Sequence, residues 1–340
     1  LERTVSADTA IVVRDLRFDD PHLPALWESL LARSSVRPPS QTFDFLRLWA
    51  ATYPVEQLLL LAADRDGETV AIAPFFATGG MVFFLGVGEA DYHDLVGAGD
   101  DVEALAALLA AARDRTGDFA GFKLHFVPEY SPTSAALEAA AARIGLAHHH
   151  MGDMVTVVVD VAADPAGLRR AVSRSMRKRE AWFLRQGAIA VEPLETAAAV
   201  LPRLPEFYDL HAARWRAKGE ESIYARPETR SFLERWIGIS AARGWLHALR
   251  LEWRGRTLGM ELAWRFGGSQ YCGQWVFPAE LARRSPGQVL QRHSVLRAID
   301  AGVRVYDQGL GDQPYKFRLP NLTITCSTWG LFDVGPAGGI

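Results

Sequence analysis

Cysteine is the scarcest informative residue in this chain of 340: there are two, Cys272 and Cys326, each inside an apolar, strand-like stretch. Two thiols cannot build a disulfide framework or a cysteine-ligated zinc cluster, and they point to a reducing, cytoplasmic setting. No apolar run reaches the roughly 20 residues that a membrane span needs. The opening Leu1-Glu2-Arg3-Thr4 has no signal-peptide h-region. Net charge is −3, so no global basic field calls for nucleic acid or an anionic membrane, and either contact needs a local patch. What is present is ordinary for a globular protein, 49% hydrophobic and 23% charged, with enough length for two domains.

The pattern of elements is written twice. In the first half a strand near 11–18 precedes helices at Leu23–Ala32 and Phe43–Tyr53. Strands follow at Gln57–Ala63 and Thr69–Ala77, joined by an Asp66-Gly67 turn, then at Met81–Val87. A helix over Asp101–Thr116, a strand at Phe122–Val127, a helix at Ser134–Ile144 and a strand at Met154–Val161 complete it. The second half repeats the order. A strand at Ile189–Pro193 leads to helices at Leu204–Lys218 and Pro227–Arg243. Strands at Leu246–Trp253, Leu258–Phe266 and Gln270–Phe277 come next. A helix at Gly287–Ala301, a strand at Val303–Gln308, a short helix or turn at Gln313–Phe317 and a strand at Leu322–Trp329 end it. A repeat of this length outweighs any single boundary. Three meandering strands before the first crossover exclude a doubly wound sheet, which alternates strand and helix from the start.

The segment Arg283-Arg284-Ser285-Pro286-Gly287-Gln288-Val289 opens the helix after the third meander strand. A helix start offers unpaired N–H groups and a positive dipole end, which suit a pyrophosphate. Ser285 is placed to cap, Pro286 fits the first turn, and Gly287 lets backbone approach a ligand. The same residues also make an ordinary capped helix. Residues 169–185 carry Arg169, Arg170, Arg174, Arg177, Lys178, Arg179 and Arg185 on a helix between the halves. Ala171, Val172, Met176 and Phe183 give that helix a packing stripe, so it reads equally as a solvated basic face or a phosphate-binding one. His148-His149-His150 is a poor metal site, since consecutive strand residues face opposite ways.

The order of elements resembles the GNAT fold of acetyl-CoA-dependent acyltransferases, and Arg284-x-x-Gly287-x-Val289 resembles their Gln/Arg-x-x-Gly-x-Gly/Ala loop, with Val289 as the departure. Asp307-x-Gly309-x-Gly311-x-x-x-Tyr315-Lys316, Ser285-Pro286-Gly287-x-x-Leu290 and His211-x-x-Arg214-Trp215-x-x-Lys218-Gly219 resemble CelD-like and FemAB-like double-GNAT transferases. In the first half Asp91-Tyr92-His93-Asp94 resembles their Asp-Tyr stretch. The resemblance implies an α/β (α+β) fold of tandem GNAT-like domains, each a mixed, mostly antiparallel sheet flanked by helices. The implied domains are a degenerate N-terminal one over 1–160, a basic linking helix at 161–188, and a donor-binding one over 189–340. It implies acetyl-CoA or another acyl-CoA as co-substrate, held by Arg283, Arg284, Ser285, Gly287, Gln288 and Val289, and no metal.

Under this resemblance, Asp307 or Glu261 takes a proton from an amine acceptor, and Tyr315 serves the leaving thiolate. Asp307 equally reads as the cap of its glycine-rich turn. Alternation puts Glu261 on the face opposite Met260, Leu262 and Trp264, toward either a cleft or solvent. Asp91, Tyr92, His93, Tyr271, Gln274 and Lys316 are the candidate acceptor or pocket residues, with Lys316 opposite a phosphate or carboxylate. The acceptor is a small-molecule, sugar or peptide amine. Two other readings stand beside this one. A FemAB-like aminoacyltransferase would use aminoacyl-tRNA on a cell-wall precursor, the one case in which nucleic acid is a partner. A non-catalytic scaffold in exopolysaccharide synthesis would only bind. The sequence carries no signal for an oligomeric state.

Overall fold

The computed structural model describes residues 10–334, so the opening Leu1-Glu2-Arg3-Thr4 lies outside the described residues. The chain forms two compact units, one of residues 1–154 with 325–340 and one of residues 155–324.

In the first unit β1 (Val12–Asp15), α1 (Leu23–Arg33), α2 (Phe43–Thr52), β2 (Gln57–Arg65), β3 (Glu68–Thr78), β4 (Met81–Phe84), the two-residue β5 (Val96–Gly97), α3 (Val102–Arg115), β6 (Gly121–Pro128) and α4 (Pro132–Arg143) follow in turn. β7 (Leu146–Asp160) then passes into the second unit. The second unit continues with α5 (Pro165–Leu184), β8 (Ile189–Leu194), the single-turn α6 (Ala197–Val200), α7 (Leu204–Arg216), α8 (Pro227–Ala242), β9 (Ala248–Trp253), β10 (Arg256–Phe266), β11 (Ser269–Val276), α9 (Pro286–Asp300) and β12 (Val305–Leu310). β13 (Leu322–Asp333) returns to the first unit at Thr325.

Local chemistry sets these boundaries. Asp66-Gly67 and Arg254-Gly255 turn their hairpins with positive φ at both residues, as a tight antiparallel connection demands. Thr42, Asp101, Ser131 and Asp164 each cap a helix through the side-chain oxygen, satisfying backbone N–H groups that the first turn leaves free.

The strands of the two units obey one plan. In the first unit, β1 to β4 pair antiparallel in sequence order, β4 pairs parallel with β6, and β6 pairs antiparallel with β13. In the second, β8 to β11 pair antiparallel, β11 pairs parallel with β12, and β12 pairs antiparallel with residues 156–160 of β7. The end of β7, from Val155, and β13 from Thr325 thus belong to the other unit from the rest of their half of the sequence. This differs from a division at 160 and 189, because the inward and outward alternation of an edge strand specifies a buried face and leaves the neighbouring strand open.

Residues 161–188, which the sequence reads as a basic linking helix, fall within the second unit. Leu168, Val172, Met176 and Phe183 of α5 are buried, and Glu180 bonds His293 of α9 at 2.7 Å and Arg292 at 3.1 Å. Those partners hold the Glu180 carboxyl below its ordinary value, chiefly through the hydrogen bond from His293. The second sheet is covered on both sides. Leu204, Phe207, Leu233 and Ile237 of α7 and α8 pack with Met260, Leu262 and Val276, while Val289 and Leu290 of α9 pack with Phe183, Leu249 and Leu251. Among the described residues no helix is long and apolar enough to cross a membrane.

Candidate active site

Among the described residues of the second unit, β11 and β12 form the one parallel pair. β11 and β12 are paired at Ser269–Val305, Gln270–Tyr306 and Tyr271–Asp307, and there the pairing stops, although β11 runs to Val276 and β12 to Leu310. Where the strands part the ladder is open, although Lys316 takes the carbonyls of Gly309 and Leu310 and Arg214 takes that of Trp275. Tyr271 and Asp307 stand at the fork.

Glu261 lies one strand away on β10 and is 1% exposed. It shares its face with α9 and looks neither to solvent nor to α7 and α8. Its Oε1 accepts from Trp275 Nε1 at 2.9 Å and from the Tyr306 hydroxyl at 3.5 Å. The Tyr306 hydroxyl also reaches Ser294 Oγ at 3.0 Å, and Gln270 Nε2 donates to the same oxygen at 3.1 Å. Glu261 Oε2 has no hydrogen-bond partner among the described residues. Burial raises the Glu261 pKa above the ordinary carboxylate value, against the hydrogen bonds that lower it. The same burial, with Glu261 close by, raises the Cys272 thiol and the Tyr306 phenol well above their ordinary values.

The remaining sequence candidates scatter around this centre. Tyr315 packs at a tilt against Trp275 with ring centres 5.6 Å apart, and burial raises its phenol. Asp307 is buried, and its Oδ1 accepts from Gly309 N at 2.8 Å, so this carboxylate holds the glycine turn. Lys316 does not face solvent: it is 3% exposed, and its Nζ donates to the carbonyls of Gly309 at 2.8 Å and Leu310 at 2.6 Å. Gln308 joins the same turn, donating to the Lys316 carbonyl at 3.0 Å and accepting from Gln291 of α9 at 2.8 Å.

The motif from His211 to Gly219 builds the wall opposite α9. Trp215 Nε1 donates to His211 Nε2 at 2.9 Å, which places the imidazole proton on Nδ1, facing Ser222 Oγ at 2.7 Å. Burial lowers the His211 pKa to about 4, with Arg214 acting in the same direction and Gln274 against it. Arg214 Nη1 donates to the Trp275 carbonyl at 2.9 Å and lies 5.0 Å from the centre of the Phe277 ring. Arg214, Trp275 and Ser294 are therefore site residues that sequence reasoning passed over. Only the quoted motif around Arg214 signalled one of them.

At the start of α9 the backbone departs from a simple cap. Ser285 occupies the cap position in the left-handed region (φ 58°, ψ 52°), and its side chain makes no cap hydrogen bond. A non-glycine residue held there is strained, a feature that concentrates at ligand sites. The expected serine cap is absent because this backbone turns the hydroxyl away from the first-turn N–H groups. Arg283 and Arg284 are exposed, and the Arg284 guanidinium lies 4.4 Å from the Trp182 ring centre on α5. Gln288 is part-buried, and its N–H donates to the Ser285 carbonyl at 3.1 Å. Gly287 lies close to Phe277, since a Cβ there would stand 3.1 Å from that ring. Val289 is fully buried in the α9 core, so only its backbone belongs to the loop. Val289→Ala is accordingly expected to cost about 2 kcal/mol of stability in urea unfolding.

The corresponding place in the first unit is already filled. Asp101 caps α3 with bonds from Glu103 N at 3.1 Å and Ala104 N at 3.0 Å, and it pairs with Arg65 at 2.7 Å. Its carboxylate takes the position an anionic ligand would need. In Asp91-Tyr92-His93-Asp94, Tyr92, His93 and Asp94 are buried structural residues. His93 lies between Phe84 and Phe126, and burial lowers its pKa to about 4. Asp94 accepts from Ser131 Oγ at 2.5 Å, and burial raises its pKa to about 6. His148 and His150 pack on Trp329, and no group of three or more His, Cys, Asp and Glu among the described residues is placed to hold a metal.

Residues 169–317 match the family described as the acetyltransferase (GNAT) domain. No curated protein matches the sequence. The crystal structure of FemX is similar over 93% of this chain and 96% of its own, with 12% identity and a TM-score of 0.65. A tandem GNAT protein from the clavulanic acid biosynthesis pathway is similar over 96% of this chain and 99% of its own (14%, 0.57). The C-terminal domain of a putative lysylphosphatidylglycerol synthetase from Agrobacterium fabrum is similar over 89% and 92% (13%, 0.57). Likeness at such identities concerns the fold.

Proposed function

We propose that the second unit, in a chain whose residues 169–317 match the acetyltransferase (GNAT) domain and whose fold is similar to that of a tandem GNAT protein, moves an acyl group from an acyl-CoA-type thioester to an amine. The attack is direct, in a ternary complex. The single observation that carries this reading is Glu261, a buried carboxyl with a raised pKa and one unbound oxygen beside the forked strands. Such a group is a stronger base than an exposed carboxylate and suits removal of an amine proton.

The chain's residues divide the work. Arg283, Arg284 and the start of α9 suit the donor's phosphates: the two cations are exposed and the helix end has no side-chain cap. The thioester supplies the carbonyl under attack. Backbone groups of β11 beyond Tyr271 are free of β12 and suit its oxygen. Tyr315 serves the leaving sulfur in this reading, while Asp307 and Lys316 hold the turn before it through hydrogen bonds to its backbone. Tyr271 and Gln274 shape the acceptor side. The first unit contributes no donor site in this reading, because Asp101 fills its α3 terminus.

Calorimetric titration with acetyl-CoA tests the donor assignment. The wild-type chain is expected to bind, and Arg284→Glu, an exposed change, to weaken binding about tenfold through charge repulsion. Absence of heat with acetyl-CoA and longer acyl-CoAs alike would sink it. One observation favours a second reading, an aminoacyl-tRNA donor: Arg170, Arg174, Arg177, Lys178, Arg179 and Arg185 are all exposed on or just beyond α5. Filter binding of aminoacyl-tRNA across a salt series separates the two, since phosphate contacts give a steep salt dependence.

A further inference from the structure

The wedge between β11 and β12 is not empty. Trp275 reaches across it. Its Nε1 bonds Glu261 on β10 at 2.9 Å, on one side of β11, and its ring packs at a tilt, centres 5.6 Å apart, against Tyr315, from the turn that follows β12 on the other side. The indole also packs against two separate buried clusters, one with Cys272 and Tyr306 and one with Val289 and Leu290. Its backbone is fixed by Arg214, which donates to the Trp275 carbonyl at 2.9 Å. Yet Trp275 is only part-buried, whereas Trp27 and Trp236 are 0% and 2% exposed core residues. A partly accessible ring thus stands beside the fork, bonded through its N–H to Glu261 and packed against Tyr315.

We propose that Trp275 sets the length of acyl group the enzyme accepts: the indole closes the wedge beyond the thioester carbonyl and leaves room for a short acyl chain only. The inference rests on the acyl-thioester reading above. A ring held at both ends cannot swing aside without breaking its bond to Glu261 and its contact with Tyr315, so a longer chain meets a wall rather than a hinge. Hydrophobic pockets discriminate by about tenfold or more per methylene they cannot house.

The test is calorimetric titration of the full chain with acetyl-CoA and octanoyl-CoA, which needs no acceptor. Wild type is expected to favour acetyl-CoA by about tenfold or more. Trp275→Ala is expected to reverse the preference, and Trp275→Phe, which keeps most of the ring, to retain it. Trp275→Leu gives the same readout if the alanine variant does not fold, with thermal melting as the check on both. An octanoyl-to-acetyl affinity ratio unchanged in the folded variants overturns the role of Trp275 while leaving donor binding intact. Wild type that binds neither thioester overturns the donor reading and this inference with it.

Discussion

Glu261→Gln is expected to lower the rate of acyl transfer by about a thousandfold, with acetyl-CoA affinity changed less than twofold. The substitution keeps the shape and leaves an amide oxygen for the Trp275 N–H, so the loss isolates proton removal. The pH dependence follows from the direction of the shift. The Glu261 pKa lies above the ordinary carboxylate value. The base works only when ionised, so kcat/KM for wild type rises with pH through that raised value, and the variant lacks this limb. Stability moves the other way. A carboxyl whose folded pKa is raised binds its proton more tightly when folded, a contribution complete below the unfolded pKa and lost as pH rises through the folded one. Glu261→Gln is therefore expected to melt no lower than wild type near neutral pH. A variant that melts lower while keeping full activity contradicts the assignment on both counts.

Lys316→Met is expected to cost about 2–4 kcal/mol in urea unfolding, because it strips the buried carbonyls of Gly309 and Leu310 of a shared donor. Methionine keeps the stem volume, so the effect comes from the ammonium rather than from a cavity. If Lys316 instead pairs with a ligand anion in the free chain's open cleft, stability stays within about 0.5 kcal/mol of wild type and only donor or acceptor affinity falls. Unfolding midpoints and calorimetry on one preparation decide between these outcomes.

Much of the architecture was legible because helix and strand periods differ and because the order of elements occurs twice. The hairpin turns at Asp66-Gly67 and Arg254-Gly255 and the helix over 286–300 sit where the pattern puts them. The site was legible only in outline. Glu261 stood out as a charge inside an apolar strand, but alternation cannot choose a face when helices cover both. Trp275 gave no signal, since an aromatic at a strand position reads as core. Ser285 read as a cap because its chemistry fits, whereas its left-handed backbone is invisible in composition. Val289 looked like a weakened loop residue, yet its side chain serves the core under α9. In the first half the polar run Asp91 to Asp94 suggested an accessible loop. Its partners, Phe84, Phe126 and Ser131, lie at distances along the chain that no local pattern records.

The crossing of the last strands also fixes an order of assembly. Residues 155–324 leave the ribosome before Thr325–Asp333, and those nine residues include the strand that pairs with β6. The second unit therefore has its whole chain available while the first still carries an open sheet edge, exposed to pairing with other chains. Neither unit can be released by one cut of the gene: a fragment of the first must have residues 325–333 joined to it by a new linker. A chain stopped after Ile324 is missing part of the half that was made first.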